Sequence, residues 1–465
     1  MPALSENDDK FKEKQLQSAW NNTEPGTQIR TADNRIMTVI HPGTWNFEQG
    51  PDFKNAKIII GGNEITGDIE VHCSPSDWYA HKHHTDANYN RVILHVTGPA
   101  DKNEADKNRL PGIPSVIINP DMISEFPLTE SEKFPNGRCV DFFSSCNDNS
   151  LHDFFVKAGK ARFEEKSRAI MAEMIGSGTE KTCLKLMFEA CGYKKNRESF
   201  IELFNRYWEY DDTCSSARAE AILWGESGFL PDPASSELDT GMKTFVKKIW
   251  TIWWETRVEA RKEIKWVKAG VRPLNMPERR IAAISVMLGL FSNSPLAFLS
   301  GKTGNGISEK EFSRFLSDEI KCSHEIWDNY INFFSRTSKP SSVLGRSRMI
   351  DLSANVLMPS LHAYAAINRN NRLKDFSFDT WMHLPLPQMN RVVRIAAHKW
   401  FMPPQRLKKI IMDSASFQGA MYVFKNHCEK CHGDCDCCIV GKPVTGQSNI
   451  EQPNIECRSI IINKR

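Results

Sequence analysis

No apolar run in this sequence approaches the ~18 residues that a membrane-spanning helix requires. Its first residues, MPALSENDDKFKEK, are polar and acidic, so no secretory signal is expected there. Internal repeats and low-complexity tracts are lacking too, which argues against solenoid and fibrous architectures. These absences point to a cytoplasmic protein with no membrane partner. Apolar residues make up 40% and charged residues 25%, as in ordinary globular chains. At 465 residues the chain exceeds what one core supports, so two or three domains are expected.

Cysteine, by contrast, is plentiful. Five of the 13 fall between Cys428 and Cys438, a density that suits a metal cluster better than a disulfide framework. The net charge of +3 hides an asymmetry. Residues 1–125 carry 12 Lys/Arg against 18 Asp/Glu, a net −6, and the remainder carries 48 against 39, a net +9. An acidic N-terminal unit joined to a basic remainder is compatible with a metal site beside a polyanion-binding surface.

Periodicity orders the chain into four parts. Residues 1–125 read as an α/β unit: a helix at Phe11–Trp20, strands at Arg35–Ile40, Ala56–Ile60, Glu64–His72, Arg91–Gly98 and Pro114–Asn119, and a crossing segment, SPSDWYAHKHHTDANYN. Residues 126–150, rich in Pro, Asn, Ser and Cys, read as a linker. Residues 151–426 show helical spacing almost throughout, with the longest pattern at Leu238–Lys268 and others at His324–Phe334 and Arg346–Ile367. Residues 427–465 form a cysteine-rich tail. The fold class expected is α+β.

The chemistry concentrates in GPDFKNAKIIIGGNEITGDIEVH, Gly50–His72. Two strands joined at Gly61-Gly62-Asn63 form a hairpin, which brings Asp52 and Glu70 to the same end. Two carboxylates so placed suit a hard divalent cation. An Asp opening one strand and Glu-x-Lys in the next is the pattern of PD-(D/E)xK nucleases, and this stretch resembles it. The resemblance implies a restriction-endonuclease-like core whose acids hold Mg²⁺ or Mn²⁺ and whose lysine orients water against a scissile phosphate. His72 stands where the lysine belongs; it could serve as a base or a ligand but not as a permanent cation. Six of the 13 histidines lie between His41 and His95. Glu70 and His72 share a strand face, His95 sits mid-strand, and His81, His83 and His84 follow in the crossing segment. Imidazole with carboxylate suits Zn²⁺, Mn²⁺ or Fe²⁺ better than Mg²⁺.

At the other end, Cys428-x2-Cys431 and Cys435-x2-Cys438 could close one tetrahedral Zn²⁺ site of structural type. The alternative is an iron–sulfur cluster on Cys428, Cys435 and Cys438 with Cys457 as a fourth ligand. In the helical region, lysines and arginines interleave with Trp250, Trp253, Trp254 and Trp266, a combination that either binds nucleic acid or divides between core and solvated face. RPLNMPERR offers Arg272, Arg279 and Arg280 as an anion or nucleic-acid site.

Taken end to end, the chain resembles a bacterial family known as a domain of unknown function. The resemblance rests on GPDFKNAKIIIGG, GDIEVHCSPSDWYAHKHHTDANYNRVILHV, EAILWGESGFLP, RPLNMPERR, NVLMPSLHAYA and the final HC…C…CCIVG. It implies no activity; in the cysteine region the family's pattern matches Cys428, Cys435 and Cys438. The function expected from the residues is a metal-dependent nuclease or phosphodiesterase, with Asp52, Glu70 and His72 catalytic and His81, His83 or His84 completing the metal shell. Two alternatives remain: a non-catalytic nucleic-acid- or protein-binding scaffold on a degenerate nuclease-like fold, and a small-molecule metallohydrolase.

Overall fold

A computed structural model describes residues 13–21, 23, 26–46, 50–99, 110–118, 139–193, 195–210, 215–257, 262–269, 271–304, 306–401 and 403–429. The architecture is α+β: an N-terminal curled mixed sheet followed by a large helical region. The chain groups into two compact units. The first takes in residues up to His152 together with 390–410 and the described residues from Ala420 onward; the second is 153–389 with 411–419.

The sheet of the first unit has seven strands: β1 (Gln28–Arg30), β2 (Ile36–His41), β3 (Thr44–Trp45), β4 (Phe53–Ile60), β5 (Asn63–His72), β6 (Val92–Thr97) and β7 (Ser115–Ile117). Their order is β1-β2-β4-β5-β6-β7, with β3 on β4. The first half is antiparallel, and β5, β6 and β7 run parallel. The β4–β5 hairpin closes through Gly61 and Gly62, at φ 60° and 84°, with Ile60 paired to Asn63. Two consecutive positive φ values are what a tight hairpin turn with right-handed strand twist demands, and glycine supplies them without strain.

Helix α1 (Glu13–Asn21) lays Leu16 and Trp20 against the apolar face of this sheet, where Val39, Phe53, Ile69, Val71, Leu94 and Val96 are fully buried. The last six residues of β5 are buried on both faces. One face meets the apolar core; the other carries polar side chains. The expected strands are all present within a few residues of their predicted bounds.

The helices of the second unit share one large apolar core that includes Phe188, Leu203, Trp224, Ile284, Leu361 and Trp381. Two sequence expectations need correction. The pattern at Leu238–Lys268 is not one helix: it ends at Thr256, and residues 262–268 are irregular. There, side chains of the Arg197–Trp208 helix and its cap replace helical hydrogen bonding. Asn196 brackets Val267 by accepting from its N–H and donating to its C=O, Ser199 donates to Lys265 O, and Arg206 to Lys262 O. Likewise His324–Phe334 is not a helix but a single 3₁₀ turn, Trp327–Asn329, leading into a small hairpin, Tyr330–Asn332 with Ser335–Arg336. The carbonyls of Trp327 and Tyr330 accept from the Arg279 guanidinium instead of from amides a turn ahead. The stretch expected as a linker holds a helix at Val140–Ser145, whose Phe143 stacks on Trp400.

Candidate metal centre

The site is built where the parallel strands β5 and β6 end and the segment joining them begins. Carboxyl ends of parallel strands are where side chains from separate elements converge. Alternation along β5 sends Ile69 and Val71 into the apolar core, so Glu70 and His72 face the other way. Glu70 pairs in register with His95 of β6. The Nε2 of His95 lies 2.9 Å from His72 Nδ1, and both rings are 1% exposed.

The joining segment folds over that face. Helix α2 (Asp77–Ala80) is held at its start by Asp77, whose carboxylate accepts from the Ser74 N–H, and it sets Trp78 against His83, His95 and Tyr89. His81 follows as the C-cap. Lys82 then takes a left-handed conformation, φ 60°, which reverses the chain locally so that His81 and His83 both face His72. Tyr89 stacks on His83 with ring centroids 3.9 Å apart.

Three ring nitrogens converge, with Glu70 Oε1 beside two of them. His72 Nε2 is 3.2 Å from His81 Nδ1, 3.3 Å from His83 Nε2 and 3.4 Å from Glu70 Oε1. His83 Nε2 is 3.2 Å from the same Glu70 oxygen. All three nitrogens lie within 4.8 Å of one another. A tetrahedron with zinc-to-nitrogen distances of ~2.0–2.1 Å has edges of ~3.3–3.4 Å. A ring nitrogen takes part in one good hydrogen bond, so His72 Nε2 cannot satisfy three partners that way. A cation among the three nitrogens would satisfy them together.

Electrostatics point the same way. Burial lowers His72 to about 2, the neighbouring rings adding to the effect, and lowers His95 to about 4. Burial also lowers His83. These rings are therefore neutral at neutral pH, the state a metal ligand needs. Burial pushes the Asp52 and Glu70 carboxyls above the usual carboxylate range, and for Glu70 the charge of Asp52 adds to the rise. Two acids destabilised by burial are what a divalent cation would relieve.

Asp52 does reach Glu70, but through the backbone. Its N–H donates to Glu70 Oε2 at 3.1 Å, while its own carboxylate accepts from the Val71 N–H at 3.0 Å and from the Gln17 amide at 2.9 Å. Asp52 thus ties the start of β4 to the end of β5 and leaves Glu70 Oε1 turned toward the histidines. His84 is not in the cluster: it is exposed and its ring lies against Tyr79.

Lys54, Asp68, Trp78 and Tyr89 belong to the site or its walls and were not singled out from sequence. Lys54 Nζ is 3.3 Å from Asp68 Oδ2, and its charge draws Glu70 back toward ionisation. Asp68 also accepts from the Asn55 N–H, closing a bulge in β4 where Asn55 has φ 55°. The period of two from Asp52 to Lys54 and from Glu70 back to Asp68 was the available signal.

The arginines of RPLNMPERR divide. Arg272 is exposed, but Arg279 and Arg280 are buried and cannot form a surface anion site. Arg279 donates to the carbonyls of Trp327, Tyr330, Ser341 and Ser342 and to the Ser341 hydroxyl. Arg280 donates to Val343 O, Leu274 O and the Asn275 side chain. Of the cysteines expected as metal ligands, only Cys428 is described; it is half-buried, and its Sγ accepts from the Trp400 indole at 3.4 Å. Cys431, Cys435 and Cys438 lie outside the described residues.

Comparison with curated proteins and with solved structures gives no match. A protein-family match covers residues 13–389, the sheet and most of the helical region, and stops short of the cysteine-rich tail. That span is well over half the sequence, and the chain belongs to the family described as "Protein of unknown function (DUF2851)".

Proposed function

We propose that the N-terminal sheet carries a divalent-metal centre and that the chain is a metal-dependent hydrolase of phosphodiester bonds, a nuclease. The observation that carries this reading is the convergence of His72 Nε2, His81 Nδ1 and His83 Nε2, with Glu70 Oε1 beside two of them. Three imidazoles and one carboxylate favour Zn²⁺ or Mn²⁺ over Mg²⁺, which prefers oxygen ligands. Such an ion supplies Lewis acidity and lowers the pKa of bound water.

The protein's own groups have separable tasks. His95 holds His72: with His72 Nδ1–H donating to His95 Nε2, the His72 Nε2 lone pair is left facing the other ligands. Asp52 orients Glu70 through its N–H. Lys54 is a permanent cation on the neighbouring strand, paired with Asp68, and so offers the charge that His72 cannot. That arrangement supports the phosphodiesterase reading, because a fixed cation beside the centre would stabilise charge on phosphate.

Metal analysis tests the centre. After soaking in Zn²⁺ or Mn²⁺, the wild type should hold about one ion per chain more than the His81→Ala/His83→Ala variant, any cysteine-bound ion being common to both. Equal content would refute the centre. Metal-dependent cleavage of DNA or RNA that disappears in the same variant would establish the nuclease.

One observation favours a second reading. Three imidazoles with a carboxylate beside two of them are enough protein ligands to fill a tetrahedral shell, which is how structural sites are built. A bound ion with no cleavage of any phosphodiester would make the unit a scaffold.

A further inference from the structure

The Thr240–Thr256 helix and its C-cap carry a feature that the metal centre does not use. Lys243, Lys247, Trp250, Trp254 and Arg257 recur at alternating steps of four and three. On a 3.6-residue helix they fall within ~80° of one another and extend over ~21 Å. The helix buries a different face, that of Met242, Phe245, Val246 and Ile249. Trp253 goes with the buried face, its ring directly over Gly225, where any Cβ would stand 2.1 Å from the indole.

Ten of the chain's 12 tryptophans are buried or packed against an apolar core. Trp250 and Trp254 are the two that are not. Their ring centroids are 5.5 Å apart, and Trp254 is 44% exposed. The Arg257 guanidinium lies 3.3 Å from the Trp254 ring centroid. Among the described residues no carboxylate pairs with Lys243, Lys247 or Arg257. Adjacent indoles left outside the core, in line with unpaired cations, have no purpose in packing: burying either ring would stabilise the fold by a few kcal/mol.

We propose that this stripe is a binding surface for single-stranded nucleic acid, with Lys243, Lys247 and Arg257 on phosphates and Trp250 and Trp254 stacking on bases. Cations tracking a backbone beside aromatic platforms are the recurring means of holding unpaired strands without sequence preference. A duplex keeps its bases stacked inward and offers such rings nothing to stack on. An acidic polypeptide would satisfy the cations but not the paired indoles. The surface shares no residue with the metal centre, and the proposal holds whether or not that centre cleaves.

The test is fluorescence anisotropy with labelled 15-mer DNA and RNA strands, on full-length protein in EDTA, with His81→Ala/His83→Ala run in parallel. Single strands should bind, quench tryptophan emission and leave the metal-site variant unaffected. Affinity should fall with salt at a slope of about −2 in log–log form for three phosphate contacts. Trp250→Ala/Trp254→Ala should weaken binding about tenfold or more, and Lys243→Gln/Lys247→Gln should flatten the salt slope. The charge variant keeps the test decisive if the tryptophan variant folds poorly. No binding at low salt, equal binding by the charge variant, tighter binding of duplex, or full competition by polyglutamate would overturn the proposal.

Discussion

Two clusters of polar side chains, the histidines over β5 and the arginines after Arg272, are equally conspicuous in the sequence and have opposite fates. Both are buried. Arg279 enters its surroundings with five donors and, through both Nη atoms, meets carbonyls of Trp327, Tyr330, Ser341 and Ser342, so only its Nε–H is left without a partner. His72 enters its surroundings with one nitrogen satisfied by His95 and the other facing two imidazoles and a carboxylate. Donors that find acceptors make structure. Acceptors that face acceptors make a candidate site, because only a cation or a proton can hold them together.

The comparison breaks first at Arg279. Arg279→Met should destabilise the protein by about 4 kcal/mol or more, since several buried carbonyls lose a charged donor together. Urea denaturation reads this directly; a change below about 1 kcal/mol would mean the guanidinium is not the loop's anchor. At the histidine cluster the effect should fall on metal rather than on fold. His83→Ala should lower metal affinity by at least about 100-fold with little change in thermal melting of the metal-free protein. His95→Gln, which disturbs only the partner of His72, should cost about 10- to 100-fold. Titration against a chromogenic chelator separates the two, and equal losses would make His95 a ligand itself.

Metal-free protein should also show its strain in pH. His72 and His95 are held below their unfolded pKa, so the unfolded chain binds more protons and stability falls as pH drops below ~6.5. Asp52 and Glu70 are held above theirs, so the folded chain binds more protons and stability falls as pH rises past ~4. The two trends oppose each other between these values, leaving a broad maximum with decline on either side. Added Zn²⁺ should remove the alkaline decline. Melting temperatures from pH 4 to 9, with and without metal, test this, and an alkaline limb that metal leaves unchanged would count against the centre. The smallest effect belongs to Arg272→Ala, an exposed residue, which should shift stability by less than about 0.5 kcal/mol.

Much of this was legible in the residues. The Gly61-Gly62 turn, the two-residue alternation that puts Glu70 with His72, and the crossing segment rich in histidine all follow from local rules. Those same rules could not separate His83 from His84, which are neighbours in one 3₁₀ turn with opposite exposures. Nor could they separate Trp250 and Trp254 from Trp253, since helical spacing says which rings share a face but not which face meets a neighbour. The break at Thr256 was hidden because the partners of residues 262–268 are the side chains of Asn196, Ser199 and Arg206, more than fifty residues away.

By itself, then, the sequence determined most of the elements, the hairpin and the chemistry available at its end, because turns and periodicity act over a few residues. Tertiary structure alone decided which of those groups meet. The parallel pairing of β5 with β6 brings His95 to His72, and the reversal at Lys82 brings His81 and His83 to His72. Burial then gives each polar group its meaning: an arginine among carbonyls spends most of its donors within the protein, and a histidine among histidines is a candidate ligand.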